Sequence, residues 1–342
     1  MKKHILLFVL LSFSISLFAQ DKDYKAYVIA FYNLENLYDT IKDPKVLDDE
    51  FLPDGAMKWN TMKYMAKLEN MAEVLSKLPR FAAIGVSEIE NRGVLEDLVA
   101  QPSIKDKNLQ IVHFDGPDRR GVDVALLYDP YLFRVKSTNT HRVKSDIPDF
   151  ITRDQLVVTG TMGDEEVSII VNHWPSRGGG NKRSTPRRRD AALTTRSICD
   201  SLFALNPNTK IIIMGDLNDD PKDASIVKHL GAKNQLDKLN SNDIYNPFYA
   251  LYKKGIGSLG YNNQWNLFDQ IMVSSALTGD NTSNLKFYKA EVFNRNFLRQ
   301  QEGRYKGYPL RTFSGGAWTN GYSDHFPVLI YLVKEIKTEI AE

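Results

Sequence analysis

Ile211-Ile212-Ile213-Met214 is followed by Gly215 and then by Asp216 and Asn218, two residues apart. Four apolar residues bounded by glycine read as a buried strand. In extended backbone, residues i and i+2 point the same way, so Asp216 and Asn218 are expected to face one point. Hard oxygen donors at a strand end suit a divalent cation or a metal-activated water. Phe81–Val86 ends in Ser87-Glu88-Ile89-Glu90. By the same alternation Glu88 and Glu90 share a face, and Glu88, nearer the strand, is the better ligand candidate. Val28–Phe31 runs into Tyr32-Asn33-Leu34-Glu35-Asn36, with Asn33 where the strand leaves the core. A buried Asn there must be hydrogen-bonded, for a structural or a catalytic purpose.

Two histidines complete the set. Ile169-Ile170-Val171-Asn172 leads to His173, then to Trp174, Arg177, three glycines and a basic tract of Lys182, Arg183, Arg187, Arg188 and Arg189. A mobile cationic loop of this kind can close over a phosphate, because arginine offers paired donors to phosphate oxygens. Near the C-terminus, Asp324-His325 precedes the apolar run from Phe326. Histidine titrates near neutral pH and can move a proton or donate to a phosphate. Asp269, in Phe268-Asp269-Gln270-Ile271, can orient an imidazole by accepting its second N–H.

These residues need a scaffold. Strand-like runs fall at Tyr27–Tyr32, Phe81–Val86, Leu109–Phe114, Val122–Tyr128, Gln155–Thr161, Val167–Asn172, Lys210–Met214, Phe268–Val273, Leu285–Val292 and Phe326–Leu332. Helical spacing is clear over Thr61–Leu78, where Met62, Met65, Leu68, Met71, Leu75 and Leu78 form a stripe expected to be core. Further helices are expected over Val94–Ala100 and Arg187–Leu205. Strands outnumber helices without strict alternation, which favours two packed sheets with helices outside.

The chain has 342 residues, 42% hydrophobic and 25% charged, and no repeat or linker divides it. Lys2 and Lys3, the apolar run Ile5–Phe18 and Ala19 before Gln20 have the layout of a secretory signal peptide. Residues 1–20 are therefore expected to be removed on export to a periplasm or outward, leaving 21–342 as one domain without a membrane span. That segment holds two of the 44 Lys and Arg and none of the 42 Asp and Glu, so the mature chain balances 42 against 42. A global basic field for polyanions is absent, and any such binding must rest on local clusters. A single cysteine, Cys199, allows no internal disulfide and is expected to be buried and inert. No stable protein partner is implied, and a monomer is expected.

In order, residue type and strand-end placement, these runs resemble the endonuclease/exonuclease/phosphatase superfamily over residues 25 to about 335. Gly215-Asp216-Leu217-Asn218 and Ser323-Asp324-His325 are the most diagnostic, with Tyr32-Asn33-Leu34-Glu35-Asn36 and Glu88 in agreement. The resemblance implies a four-layered α/β sandwich of two mostly antiparallel sheets flanked by helices. It implies a hydrolase of phosphate esters that uses Mg²⁺, with Mn²⁺ or Ca²⁺ as alternatives. Glu88 would be the main metal ligand, with Asn33 and Asp324 nearby. Asp216 would hold or activate the attacking water, beside Asn218. His325, held by Asp269, would contact the scissile phosphate as base or stabiliser. His173 would stabilise charge or protonate the leaving oxygen. Tyr128 stands where the nuclease branch often has an arginine, and Arg119 or Arg120 can substitute. With Arg177 and Arg187, Arg119 makes up the expected phosphate-binding set. The substrate reading stays open between nucleic acid and a small or lipid head-group phosphate, with a non-catalytic binding protein as a third alternative. Trp174 and Trp265 are candidates for an exposed aromatic surface.

Overall fold

The computed structural model describes residues 23–336, apart from the side chain of Asn181. The expected signal peptide, residues 1–20, lies outside the described residues. In chain order the first strands are β1 (Tyr24–Leu37), β2 (Phe81–Ile89), β3 (Gln110–His113), β4 (Asp123–Tyr128), β5 (Arg134–His141) and β6 (Gln155–Met162). There follow β7 (Glu165–His173), β8 (Lys210–Asp216), β9 (Ala232–Lys233), β10 (Ile244–Tyr245), β11 (Leu259–Tyr261) and β12 (Gln264–Asn266). The last are β13 (Asp269–Ser274), β14 (Lys286–Val292), β15 (Phe313–Ser314), β16 (Ala317–Trp318) and β17 (Val328–Glu335). The longer helices are α1 (Thr61–Lys77), α2 (Arg92–Val99) and α3 (Asn181–Leu205).

One sheet has six strands in the order β14-β17-β1-β2-β4-β3, and the other has seven in the order β5-β6-β7-β8-β13-β10-β9. Both are mostly antiparallel; the parallel pairs are β1–β2, β7–β8 and β9–β10. This is the sandwich the resemblance implied, and alternation along the strands explains it. In β8, Ile212 and Met214 join the core shared with the six-stranded sheet, whereas Ile211 and Ile213 face α3 with Cys199, Ala192 and Phe203. A strand buried on both faces reads as an unbroken apolar run, which is why β8 was legible. Burial pushes the Cys199 thiol up to about 12, as expected of an inert cysteine.

Three expectations are corrected. On α1 the buried stripe is Tyr64, Lys67, Leu68, Met71, Ala72, Val74 and Leu75, whereas Met62 and Met65 are exposed. The helix meets the sheet one turn later than its methionines suggested. The basic tract is not a loop: α3 begins at Asn181 and carries Pro186 within its opening turns. Pro186 is the sixth helical residue, past the four N–H groups that lack intrahelical partners, so it leaves the Lys182 carbonyl without its i→i−4 donor. Finally, β5 was not anticipated. It is an edge strand of polar, largely exposed residues, Arg-Val-Lys-Ser-Thr-Asn-Thr-His, with no apolar alternation to find.

Candidate active site

Strand pairing collects the site. The parallel β7–β8 ladder sets His173 beside Asp216, and the antiparallel β8–β13 ladder sets Asp269 on the other side of Asp216. Directly opposed residues share a face of a sheet, so the three side chains gather at one end of it. Gly215 permits this approach: a Cβ there would lie 2.2 Å from the carbonyl oxygen of Asn172. From the other sheet, Asn33 donates to Asp216 Oδ2 at 3.1 Å. β1 runs on past Asn33, so that residue lies within the strand rather than at its exit.

His325 arrives from the segment before β17. Its Nδ1 lies 2.6 Å from Asp269 Oδ2, and its Nε2 lies 3.9 Å from Asp216 Oδ2 and 3.8 Å from Asp324 Oδ1. Asp269 is wholly buried and also accepts the Ser258 hydroxyl at 2.5 Å. Burial alone would push the His325 imidazolium down. The carboxylates of Asp269, Asp216 and Asp324 outweigh it and hold its pKa well above the usual value. His173 is the opposite case. Burial, reinforced by the positive charges of Arg153, Arg120 and His325, pushes it well below the usual value. Its Nε2 faces Asp216 Oδ2 at 3.6 Å and Glu88 Oε1 at 3.8 Å. At neutral pH the site thus pairs a cationic imidazole with a neutral one. Asp216 lies between them, raised to about 7 by burial against the lowering effect of His325.

Glu88 is aimed by its backbone. The β2–β4 pairing slips between Ser87 and Ile89, and Glu88 adopts a left-handed φ of 60°. Such a bulge redirects a side chain and costs an L residue about 1–2 kcal/mol. The period-two expectation fails here as a result. The Glu90 carboxylate turns instead to the Asp39 N–H at 2.7 Å. Asn218 is likewise left-handed, at φ 52°, so it does not simply repeat the direction of Asp216. Its N–H donates to Asp216 Oδ1 at 3.0 Å and its side-chain amide to the Trp174 carbonyl at 3.0 Å.

The donor set suits a hard divalent cation. Glu88 Oε2 accepts the Asn36 N–H at 3.1 Å, while Oε1 accepts no hydrogen bond among the described residues. Asp324 keeps one oxygen on Arg311 at 2.8 Å and turns the other toward His325. Few carboxylates and room for water match the coordination of magnesium. The Asn33 amide is already engaged, with Nδ2 on Asp216 and Oδ1 accepting the Glu35 N–H at 2.9 Å.

The expected phosphate-binding arginines are placed differently. The Arg177 guanidinium packs over Phe268 and bonds the Asn218 carbonyl, Asp219 and Asp223 at 2.9, 3.1 and 2.9 Å. Arg187 stacks over Phe150 at 5.5 Å. Arg119 reaches the Asp149 carbonyl at 3.5 Å, and its neighbour Arg120 is the one whose charge bears on His173. Trp174 is buried, with its indole N–H on Asn172 Oδ1 at 3.2 Å, whereas Trp265 is 37% exposed.

Sequence reasoning missed Arg153, Glu35 and Ser258. Arg153 is buried between Asp118, at 3.1 Å, and the Trp174 carbonyl, at 2.8 Å. It precedes a strand as any surface arginine might, and nothing local marks it. Glu35 was visible within its motif, but its pairing with Arg311 and the Thr312 N–H, at 3.2 and 2.6 Å, joins residues far apart in the chain.

Buried acids and imidazoles meeting at one end of a two-sheet sandwich, with an open carboxylate beside them, define a phosphoester hydrolase of the metal-assisted kind. Residues 28–334 match the model of the Endonuclease/Exonuclease/phosphatase family, and the chain belongs to that family. It is a hydrolase acting on phosphate esters. No curated protein sequence matches it. Among solved structures it is similar to a humanized D. rerio TDP2 carrying 14 mutations, with 13% identity, 90% of this chain and 98% of that chain covered, and a TM-score of 0.55. It is also similar to ANGEL2, described as a 2′,3′-cyclic phosphatase, with 13% identity, 92% and 98% covered, and a TM-score of 0.56. A third is a mannosyl-6-phosphatase of Bacteroides thetaiotaomicron, with 17% identity, 90% and 99% covered, and a TM-score of 0.51. At these identities the likeness is one of fold.

Proposed function

We propose that the protein is an exported, magnesium-dependent phosphodiesterase that hydrolyses nucleic-acid phosphodiester bonds. The observation that carries this reading is the pair of unlike histidines flanking Asp216, with Nε2 atoms 3.6 and 3.9 Å from its carboxylate. A phosphodiester needs two kinds of help. Negative charge on the non-bridging oxygens must be offset, and the leaving oxygen must be met by a hydrogen-bond donor. The cationic His325, held by Asp269, suits the first. The neutral His173, whose Nε2 faces Asp216 and Glu88, suits the second in the tautomer that carries its proton on that nitrogen, as a donor rather than as a strong acid. Asp216, steadied by Asn33 and by the Asn218 N–H, takes the proton of the attacking water. Glu88, with Asp324, would hold the cation, which when bound supplies Lewis-acid charge neutralisation. Export rests on the signal-like pattern of residues 1–20.

The test is hydrolysis by the mature protein, with and without EDTA, on plasmid DNA, oligonucleotides and a panel of small phosphomonoesters, with Asp216→Ala alongside. Magnesium-dependent strand cleavage is expected, slowed about 10²- to 10⁴-fold in the variant, the range of a lost general base. Turnover of the phosphomonoesters alone would overturn the nucleic-acid reading and make the protein a phosphatase. N-terminal sequencing of the protein from an exported fraction checks the cleavage after residue 20.

A further inference from the structure

Beside Asp324 lies a cleft of about 640 Å³ whose walls include Tyr261, Tyr305, Tyr308, Arg304 and Arg311. Its size is that of a small-molecule site, about 300–1,000 Å³. One wall is the hairpin of β11 and β12, which docks on the catalytic segment through a bridge between Leu259 and His325 and through Phe326 N–H to the Ser258 carbonyl at 2.7 Å. The same Ser258 holds Asp269 through its hydroxyl. The other wall is the segment bearing Tyr305 and Tyr308, and Arg304 ties the two walls together through Asn263 Oδ1 at 3.1 Å.

The aromatic rings form a chain of contacts from the cleft to Phe326. Tyr305 stacks on Tyr308 at 6.1 Å, Tyr308 meets Trp265 edge-on at 4.7 Å, and Trp265 stacks on Phe326, the residue after His325, at 6.1 Å. Gly260 makes room for this, since a Cβ there would lie 2.5 Å from the Tyr308 ring. At the cleft Tyr261 and Tyr305 stay 37% and 46% exposed. Amides of Asn262, Asn263 and Gln300 sit among the rings.

We propose that this cleft is a base-stacking subsite, and that the substrate is an unpaired nucleotide held by its base while its phosphate lies at His325. The inference rests on the phosphodiesterase reading above. Exposed tyrosines offer stacking area to any base, amides can hydrogen-bond base edges, and Arg304 complements an adjoining phosphate, whereas Arg311 is already paired with Glu35 and Asp324. A duplex would bury the same base faces within its own stack. Tracking its backbone requires many cations, yet Arg177 and Arg188 are ion-paired with aspartates.

The first readout is the ratio of kcat/KM between a single-stranded oligonucleotide and the same strand with abasic positions. The wild-type ratio is expected at about 10 or more, given the worth of one stacked base. The double substitution Tyr261→Ala/Tyr305→Ala should bring it to about 1, through KM. The second readout needs no turnover. Trp265 fluorescence should respond saturably to adenosine 5′-monophosphate and not to ribose 5-phosphate, and the double variant should lose the response. A wild-type ratio near 1, an unchanged ratio in the variant, or equal binding of the two ligands would overturn the subsite. Nucleotide binding without any strand hydrolysis would uphold the subsite and sink the phosphodiesterase reading instead. Preference for duplex over single strand would overturn the substrate class.

Discussion

Asp216 is the residue on which burial, charge and hydrogen bonding act most sharply. Wholly buried carboxyls resist ionisation, and Asp216 is raised to about 7 by burial, with Asp269 and Glu88 adding to the effect and His325 opposing it. A carboxylate that must accept a proton works only when ionised. The rate should therefore fall as pH drops below about 7 and level off above it, with kcat losing about tenfold per pH unit on the acid side, as for one titrating base. A kcat profile at saturating metal checks this, and a flat profile between pH 5 and 8 would remove Asp216 from that role. The two histidines are moved away from neutrality in opposite directions, His173 downward by burial and His325 upward, against its burial, by the carboxylates around it. None of this asymmetry was legible in the sequence. It depends on the burial of His173, with Arg153 adding to it, and on three carboxylates converging on His325, and no run of residues announces that.

At the scale of elements, the strands that carry the chemistry were read correctly because burial on both faces leaves long apolar runs. β7, β8 and β13 are of this kind. What stayed hidden were pieces whose residues are polar and whose partners are remote: β5, the β11–β12 hairpin and the opening of α3 with its internal proline. Lys67 is the sharpest such case. It faces inward from α1, fully buried, and donates to Thr312 Oγ1 and the Tyr322 carbonyl at 2.6 Å each. Burial lowers its pKa to about 8 while Glu35 opposes that, and Glu35 itself is raised to about 7 by its own burial. The amine thereby pins the segment before Asp324-His325 to α1. Lys67→Met should cost about 1.5–3 kcal/mol, the scale of a hydrogen bond made by a charged group. Chemical denaturation checks it: the midpoint should fall with the slope unchanged. A loss under about 1 kcal/mol, the scale of a surface ion pair, would show that the cation is dispensable there.

For the whole molecule, charge balance separates two ways of holding a polyanion. A nuclease that tracks a backbone with 6–10 phosphate contacts loses about 10³–10⁵ in affinity between 50 and 200 mM salt. Residues 21–342 carry 42 cationic and 42 anionic residues. Of the basic tract on α3, Arg188 is drawn inward onto Asp219 at 2.8 Å, whereas Arg189, paired with its neighbour Asp190 at 2.7 Å, stays exposed, as do Lys182 and Arg183. The cations that line the cleft beside the site are Arg304 and Arg311. Arg311 is paired with Glu35 and Asp324, so one phosphate contact, through Arg304, gives a single-strand salt slope of about −0.7, and kcat/KM should fall only about threefold over that fourfold rise in salt. Measuring kcat/KM on one oligonucleotide at several KCl concentrations, with magnesium fixed, tests this directly. A slope steeper than about −4 would mean that α3 opens its ion pairs to the substrate and that an extended strand lies across it. The shallow slope is the expected result, because binding by ring stacking and a local cation leaves few counterions to release.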